Sequence, residues 1–174
     1  IQAVSISTTA GFATTDFSIW PTFLPILLIF SSFIGGCASS TGGGLKVVRV
    51  CLLFLQGKRE VDRLIHPKAV YSVKLGERAM PDKVVEAVWG FFSAYAVVFV
   101  VLMIGLIATG LDNLSAFTAT AAMLNNLGPG LGSVASNYAG VTDAGKWILV
   151  VGMVFGRLEV FSLLVLFSPT FWRS

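Results

Sequence analysis

The sequence predicts an all-α membrane protein in which helices that cross the bilayer alternate with short glycine loops. Three observations carry that expectation. The 174 residues are 55% hydrophobic and 12% charged, with a mean hydropathy of +0.84, whereas an ordinary soluble domain is about 25% charged. A chain this short has too little interior to hide so much apolar surface, so lipid must solvate much of it. Residues 17–45 and 87–111 hold no charged side chain over 29 and 25 positions, and about 20 apolar residues suffice to cross a bilayer. Finally, two glycine-bearing loops each precede an apolar segment of that length: Thr8-Thr9-Ala10-Gly11-Phe12 and Asn125-Asn126-Leu127-Gly128-Pro129-Gly130.

The elements follow in order. Residues 21–34 are strongly apolar, and residues 35–44 then carry five glycines in ten positions. Each glycine costs about 1 kcal/mol in a helix relative to alanine, so the helix breaks there and resumes over residues 45–55. Irregular backbone at membrane depth survives only where protein or a water-filled cavity satisfies it. Residues 56–82 are polar, with Pro67 and Pro81 as breakers, and nine of the 12 Lys and Arg lie between Lys46 and Lys83. Basic residues clustered beside apolar spans mark the cytoplasmic side, not a nucleic-acid surface.

Residues 87–111 form a plain transmembrane helix. Asp112 and Asn113 offer an N-cap for residues 114–124, which at about 1.5 Å per residue cover roughly half of a ~30 Å hydrocarbon core. This is a re-entrant half-helix, and the negative end of its dipole meets the second loop, a favourable place for a cation. Residues 132–146 are a polar loop, and residues 147–172 are the last span, with the C-terminus returning inside. The chain thus divides into a first loop and broken span (1–56), a cytoplasmic connection (57–83) and a span, half-helix, loop and span (84–174).

The two loops suit one chemistry. A dehydrating cation needs replacement oxygens at close range, and backbone carbonyls supply them without a counter-charge. Aligning successive carbonyls takes unusual backbone angles, which glycine permits. Thr9-Ala10-Gly11-Phe12 lies beside the Thr-Val-Gly-Tyr pattern of potassium-channel filters, and Leu127-Gly128-Pro129-Gly130 keeps its apolar-Gly core. Gly11 and Gly128 are 117 positions apart, a spacing that suggests an internal repeat.

Other chemistries find little support. Cys37 and Cys51 have neither CxxC nor Cys/His spacing, and are expected to be buried small hydrophobes. His66 is the one histidine; it lies beside Pro67, with no nucleophile or metal-ligand cluster, so an enzyme is not expected. Gly44 is followed by Leu45, Lys46 and Val47, which does not complete a nucleotide P-loop. Residues 35–44 remain open to two readings: a small-residue surface for close helix packing, or a movable segment that blocks and opens a path. A secondary transporter with broken helices is a further possibility, although a half-helix ending in a second glycine loop fits a pore better. Arg157 and Glu159 are the charges within the last span; charge at that depth usually faces a pore or a partner, and neighbours two apart on a helix do not face each other. Lys46 either snorkels to the interface or caps carbonyls of the glycine loop.

Together, the two loops, residues 35–46 and Gly156-Arg157-Leu158-Glu159-Val160-Phe161 resemble the Trk/Ktr/HKT superfamily of potassium transporters, nearest its bacterial uptake subunits. The likeness covers essentially the whole chain. It implies four span–pore loop–span repeats around one potassium-channel-like pore, of which this chain, as the C-terminal part of a longer protein, holds about one and a half. By resemblance, Thr9, Ala10, Gly11, Asn126, Leu127 and Gly128 line the ion path, with potassium held through Thr9, Ala10, Asn126 and Leu127. Glycine at 11 and 128 goes with potassium preference. Gly42, Gly43 and Gly44 belong to an intramembrane gate, and Arg157 is a positive barrier below the filter. The expected setting is a homodimer in the lipid of a bacterial inner membrane, with a cytosolic nucleotide-binding regulator on residues 56–83, potassium as cargo and no cofactor. Sodium- or proton-coupled symport is the alternative within the same superfamily.

Overall fold

The computed structural model describes residues 1–12, 14–21, 23–37, 42–67, 69 and 71–158. Its architecture is mostly helical. Helix α1 (Gln2–Ser7) leads into the first glycine loop, and α2 (Phe23–Ile34) follows a short 3-10 turn at Phe17–Ile19. Pro25 sits in the first turn of α2, where backbone N–H groups have no helical partner to lose. Gly35 ends the helix with φ +66°. The chain then folds back beside its own exit: Leu45 N–H donates to Phe33 O at 2.8 Å, and Val47 N–H to Gly36 O at 3.2 Å. The break therefore falls where the glycines predict it; Ser39, Ser40 and Thr41 lie outside the described residues.

Helix α3 (Val47–Ile65) continues well beyond the expected end at Leu55. Its second half is polar but laced together. Gln56 Nε2 donates to Glu60 at 2.7 Å, Arg63 pairs with Glu60 at 3.5 Å, and Arg59 reaches Asp82 at 2.6 Å. The connection is thus half helix, then a small hairpin, β1 (Lys74–Leu75) with β2 (Arg78–Ala79), turning through Gly76. Helix α4 (Asp82–Ala108) starts five residues before the predicted boundary, because Pro81 and the first-turn carboxylate of Asp82 favour a helix start there. Among the described residues it is the one helix long and apolar enough to cross a membrane.

Helix α5 (Asn113–Leu124) is short, about 18 Å at ~1.5 Å per residue, and Ser115, Ala116 and residues 118–124 are all buried. Asp112 caps it, its Oδ2 accepting from Ser115 N–H at 3.1 Å. Those bonds from Ser115 hold the Asp112 carboxyl below the ordinary carboxylate range. After a 3-10 turn at Gly132–Val134, α6 (Asp143–Arg157) begins four residues early because Thr142 Oγ1 accepts from Gly145 N–H at 3.3 Å. Glu159 and the rest of the expected last span lie outside the described residues.

The buried half-helix is the hub, with α2, α4 and α6 packed around it. Phe33, Phe99 and Phe117 interlock, at 5.8 Å between the first pair and 5.4 Å between the second. On the far side of α4, Val97, Val101 and Ile104 are exposed. Cys37 and Cys51 are exposed free thiols, contrary to expectation, because one sits in the broken loop and the other on the outward face of α3.

Candidate functional site

Each glycine loop takes off from the C-terminal end of a helix, and the two take the same course. At the first, Thr8 N–H donates to Val4 O (3.0 Å), Thr9 N–H to Ile6 O (3.1 Å) and Ala10 N–H to Ser5 O (2.8 Å). At the second, Asn125 N–H donates to Ala121 O (3.0 Å), Asn126 N–H to Met123 O (3.0 Å) and Leu127 N–H to Ala122 O (2.7 Å). Every donor and acceptor of the second set lies 117 positions after its counterpart. The dihedrals repeat as well: Thr9 and Gly11 have φ of +57° and +77°, and Asn126 and Gly128 have +53° and +98°. Left-handed backbone costs a non-glycine residue about 1–2 kcal/mol. Such strain at Thr9 and Asn126 persists only where surrounding structure imposes it.

The structure brings the loops together. A Cβ on Gly11 would overlap the Leu127 carbonyl oxygen and lie 3.7 Å from Pro129 Cδ. Below them comes the glycine break. Gly43 N–H donates to Thr9 Oγ1 at 3.0 Å, and a Cβ on Gly43 would overlap the Asn125 carbonyl. Gly43 therefore touches both loops, with Gly42 and Gly44 on either side. Gly44, at φ +82°, packs against Ser32 O, 2.6 Å from where its Cβ would be. From α6, Gly156 presses on the Leu124 carbonyl at the end of the half-helix, which sets Arg157 one residue beyond that contact. Thr9, Ala10, Gly11, Asn126, Leu127, Gly128 and residues 42–44 thus form one cluster, with Arg157 at its edge.

Three features escape a reading of the sequence. Fully buried Asn125 accepts from Tyr95 Oη at 2.8 Å and donates to Ser32 Oγ at 2.8 Å. It ties α4, the half-helix and α2 together immediately above the break. Next, the chain beyond each loop is stapled back to its helix. Thr118 Oγ1 accepts from Leu131 N–H at 3.0 Å, and Gln2 Nε2 donates to Thr15 O at 2.9 Å. Finally, Tyr138 Oη donates to Gly128 O at 2.7 Å, and burial pushes the Tyr138 hydroxyl pKa up.

The Asn125 network makes a prediction about stability. Asn125→Ala leaves the buried Tyr95 hydroxyl without its acceptor, at about 1–3 kcal/mol, and removes the donor to Ser32 Oγ, which still donates to Ile29 O at 2.6 Å. The detergent-solubilised full-length protein is expected to lose roughly 2–4 kcal/mol against chemical denaturant. A loss below about 0.5 kcal/mol, the range of an ordinary surface substitution, would show that the network does not hold the bundle.

The TrkH family model, described as a cation transport protein, matches residues 1–174. The chain is 69% identical over 173 residues to the Trk system potassium uptake protein TrkH of Vibrio parahaemolyticus, covering 99% of this chain and 36% of that protein. It is 64% identical to TrkH and 41% identical to TrkG of Escherichia coli K12, with the same coverage. The crystal structure of the potassium transporter TrkH from Vibrio parahaemolyticus superposes with a TM-score of 0.92 at 69% identity, over 99% of this chain and 37% of that one. The chain therefore spans little more than a third of the length of the relatives it matches. Across its whole length, this chain belongs to the TrkH family of cation transport proteins.

Proposed function

We propose that this chain supplies two quarters of the pore of a potassium uptake subunit in a bacterial inner membrane. Thr9, Ala10, Gly11, Asn126, Leu127 and Gly128 line the filter, holding potassium through backbone carbonyls, above all those of Thr9, Ala10, Asn126 and Leu127. The observation that carries this reading is the shared course of the two loops, bond for bond at a constant offset, from helix ends that converge on one place. Helix C-termini aimed there favour a cation, and a site built of carbonyls needs no acidic cluster. None capable of holding a metal occurs among the described residues.

Gly42, Gly43 and Gly44 form the gate, because Gly43 touches both loops and its backbone can move. Arg157 adds a positive barrier beneath them. The basic connection, residues 56–83, docks a cytosolic nucleotide-binding regulator, the C-terminus is cytoplasmic, and the working unit is a dimer in lipid. Potassium is cargo, and no cofactor or enzymatic step is involved.

The test is rubidium or potassium flux from liposomes holding the full-length protein, with sodium as competitor. Potassium preference over sodium is expected; equal flux of both ions overturns the reading. Repeating the measurement with proton and sodium gradients separates conduction from symport. Arg157→Ala is expected to raise flux several-fold, since a positive charge beside the path repels a passing cation and lowering the barrier by ~1.4 kcal/mol is already tenfold in rate, while selectivity stays put. Unaltered or reduced flux in a folded variant refutes the barrier.

A further inference from the structure

We infer that Tyr138 is a positioning residue for ion selection: its hydroxyl holds the Gly128 carbonyl, and with it the plane of the Gly128–Pro129 peptide, in one orientation at the end of the filter loop. This rests on the filter reading above and extends it to a residue outside both glycine motifs.

The two filter glycines are constrained in different ways. Gly11 is wedged against the Leu127 carbonyl, whereas nothing lies within 4 Å of where a Cβ on Gly128 would stand. Packing on that side therefore cannot fix Gly128, whose φ of +98° favours glycine. The next residue is Pro129, which has no N–H. A peptide of this kind carries one polar group, its carbonyl, so rotating its plane sacrifices no donor. What the carbonyl meets is Tyr138 Oη, 2.7 Å away.

The phenol is itself well placed. Ala139 N–H donates to Asn137 Oδ1 at 3.0 Å, and Val141 N–H to Tyr138 O at 3.2 Å, so Tyr138 sits in a closed turn. A Cβ on Gly130 would crowd Val134 Cγ2 at 2.7 Å and stand in ordinary contact with the Tyr138 hydroxyl at 3.5 Å, so the phenol packs alongside the loop at Gly130. Burial keeps the hydroxyl protonated, and therefore a donor. Tyr138, Gly11, Gly128 and Pro129 line one cleft, so the bond lies beside the loop pair.

The test is Tyr138→Phe in the full-length protein, reconstituted in liposomes, reading the ratio of rubidium to sodium flux. The ring and its packing stay; only the donor goes. Losing one neutral hydrogen bond is expected to lower that ratio about fivefold. A merely structural role reduces both fluxes together and leaves the ratio untouched, which overturns the inference. Tyr138→Trp keeps an aromatic donor but moves it, and serves as a second variant should Tyr138→Phe fail to fold; the same loss of ratio is expected. Gly128→Ser, run alongside, separates the two failures. If it shifts the ratio and both Tyr138 variants do not, the role of Tyr138 is wrong. If it does not shift the ratio either, the filter reading itself is wrong.

Discussion

Gly43→Ala is expected to raise potassium flux through the full-length protein about tenfold, with little change in ion preference. A methyl group on Gly43 would overlap the carbonyl oxygen of Asn125. Asn125 cannot yield, because its N–H is bonded to Ala121 O and its side chain to Tyr95 and Ser32. The glycine loop must give way, losing the bond from Gly43 N–H to Thr9 Oγ1. Overpacking of this kind costs about 1–3 kcal/mol, and each ~1.4 kcal/mol is tenfold in an equilibrium. If the seated loop is the closed gate, that shift populates the open one. Gly57→Ala is the control: it lies in α3 with nothing within 4 Å of the added carbon, and alanine there stabilises the helix by about 1 kcal/mol. A folded Gly43→Ala protein with unchanged or lower flux sinks the gate assignment, whatever the control does.

The sequence expresses some of this arrangement locally and hides the rest. Asp112 ahead of an 11-residue apolar stretch is a cap signal, and the half-helix begins within one residue of its predicted start. The glycine break is equally legible, since no helix tolerates five glycines in ten residues. The second half of α3 is less so: polar composition alone reads as loop, and although the Gln56–Glu60 and Glu60–Arg63 pairs are local, Arg59 reaches Asp82, 23 positions away. The early start of α6 was available in Thr142 as a capping residue, a shorter-range signal than the apolar run after it. Contacts between distant segments leave no local trace. Ser32 and Asn125 are 93 positions apart, and nothing in the sequence around either one points to the other. Tyr138 is subtler: it lies ten residues from Gly128 in a loop with no apolar rhythm, and the signal that could have exposed it is the Gly-Pro pair, a carbonyl without a companion N–H.

Gly128→Ser is expected to leave the protein folded while cutting its preference for potassium over sodium by about tenfold, the equivalent of ~1.4 kcal/mol. The two loop glycines separate here. A side chain at Gly11 would collide with the Leu127 carbonyl, so Gly11→Ser disturbs packing between the loops and is expected to lower the yield of folded protein. At Gly128 the added carbon meets open space. The cost there is conformational alone: φ of +98° is strained for any residue with a Cβ, by about 1–2 kcal/mol. The backbone relieves that strain by rotating, and rotation moves the carbonyls of Leu127 and Gly128 that flank the substituted residue. Where backbone carbonyls replace an ion's hydration shell, moving them alters which ion is held, so on the proposed reading selectivity changes before stability does. Two measurements decide the matter together: thermal unfolding in detergent, and the rubidium-to-sodium flux ratio in liposomes. A variant whose unfolding is nearly unchanged and whose flux ratio has dropped locates ion selection in the backbone at Gly128. If the ratio holds at its original value in a protein of normal stability, Gly128 is only a turn residue, and the carbonyls around it do not select the ion.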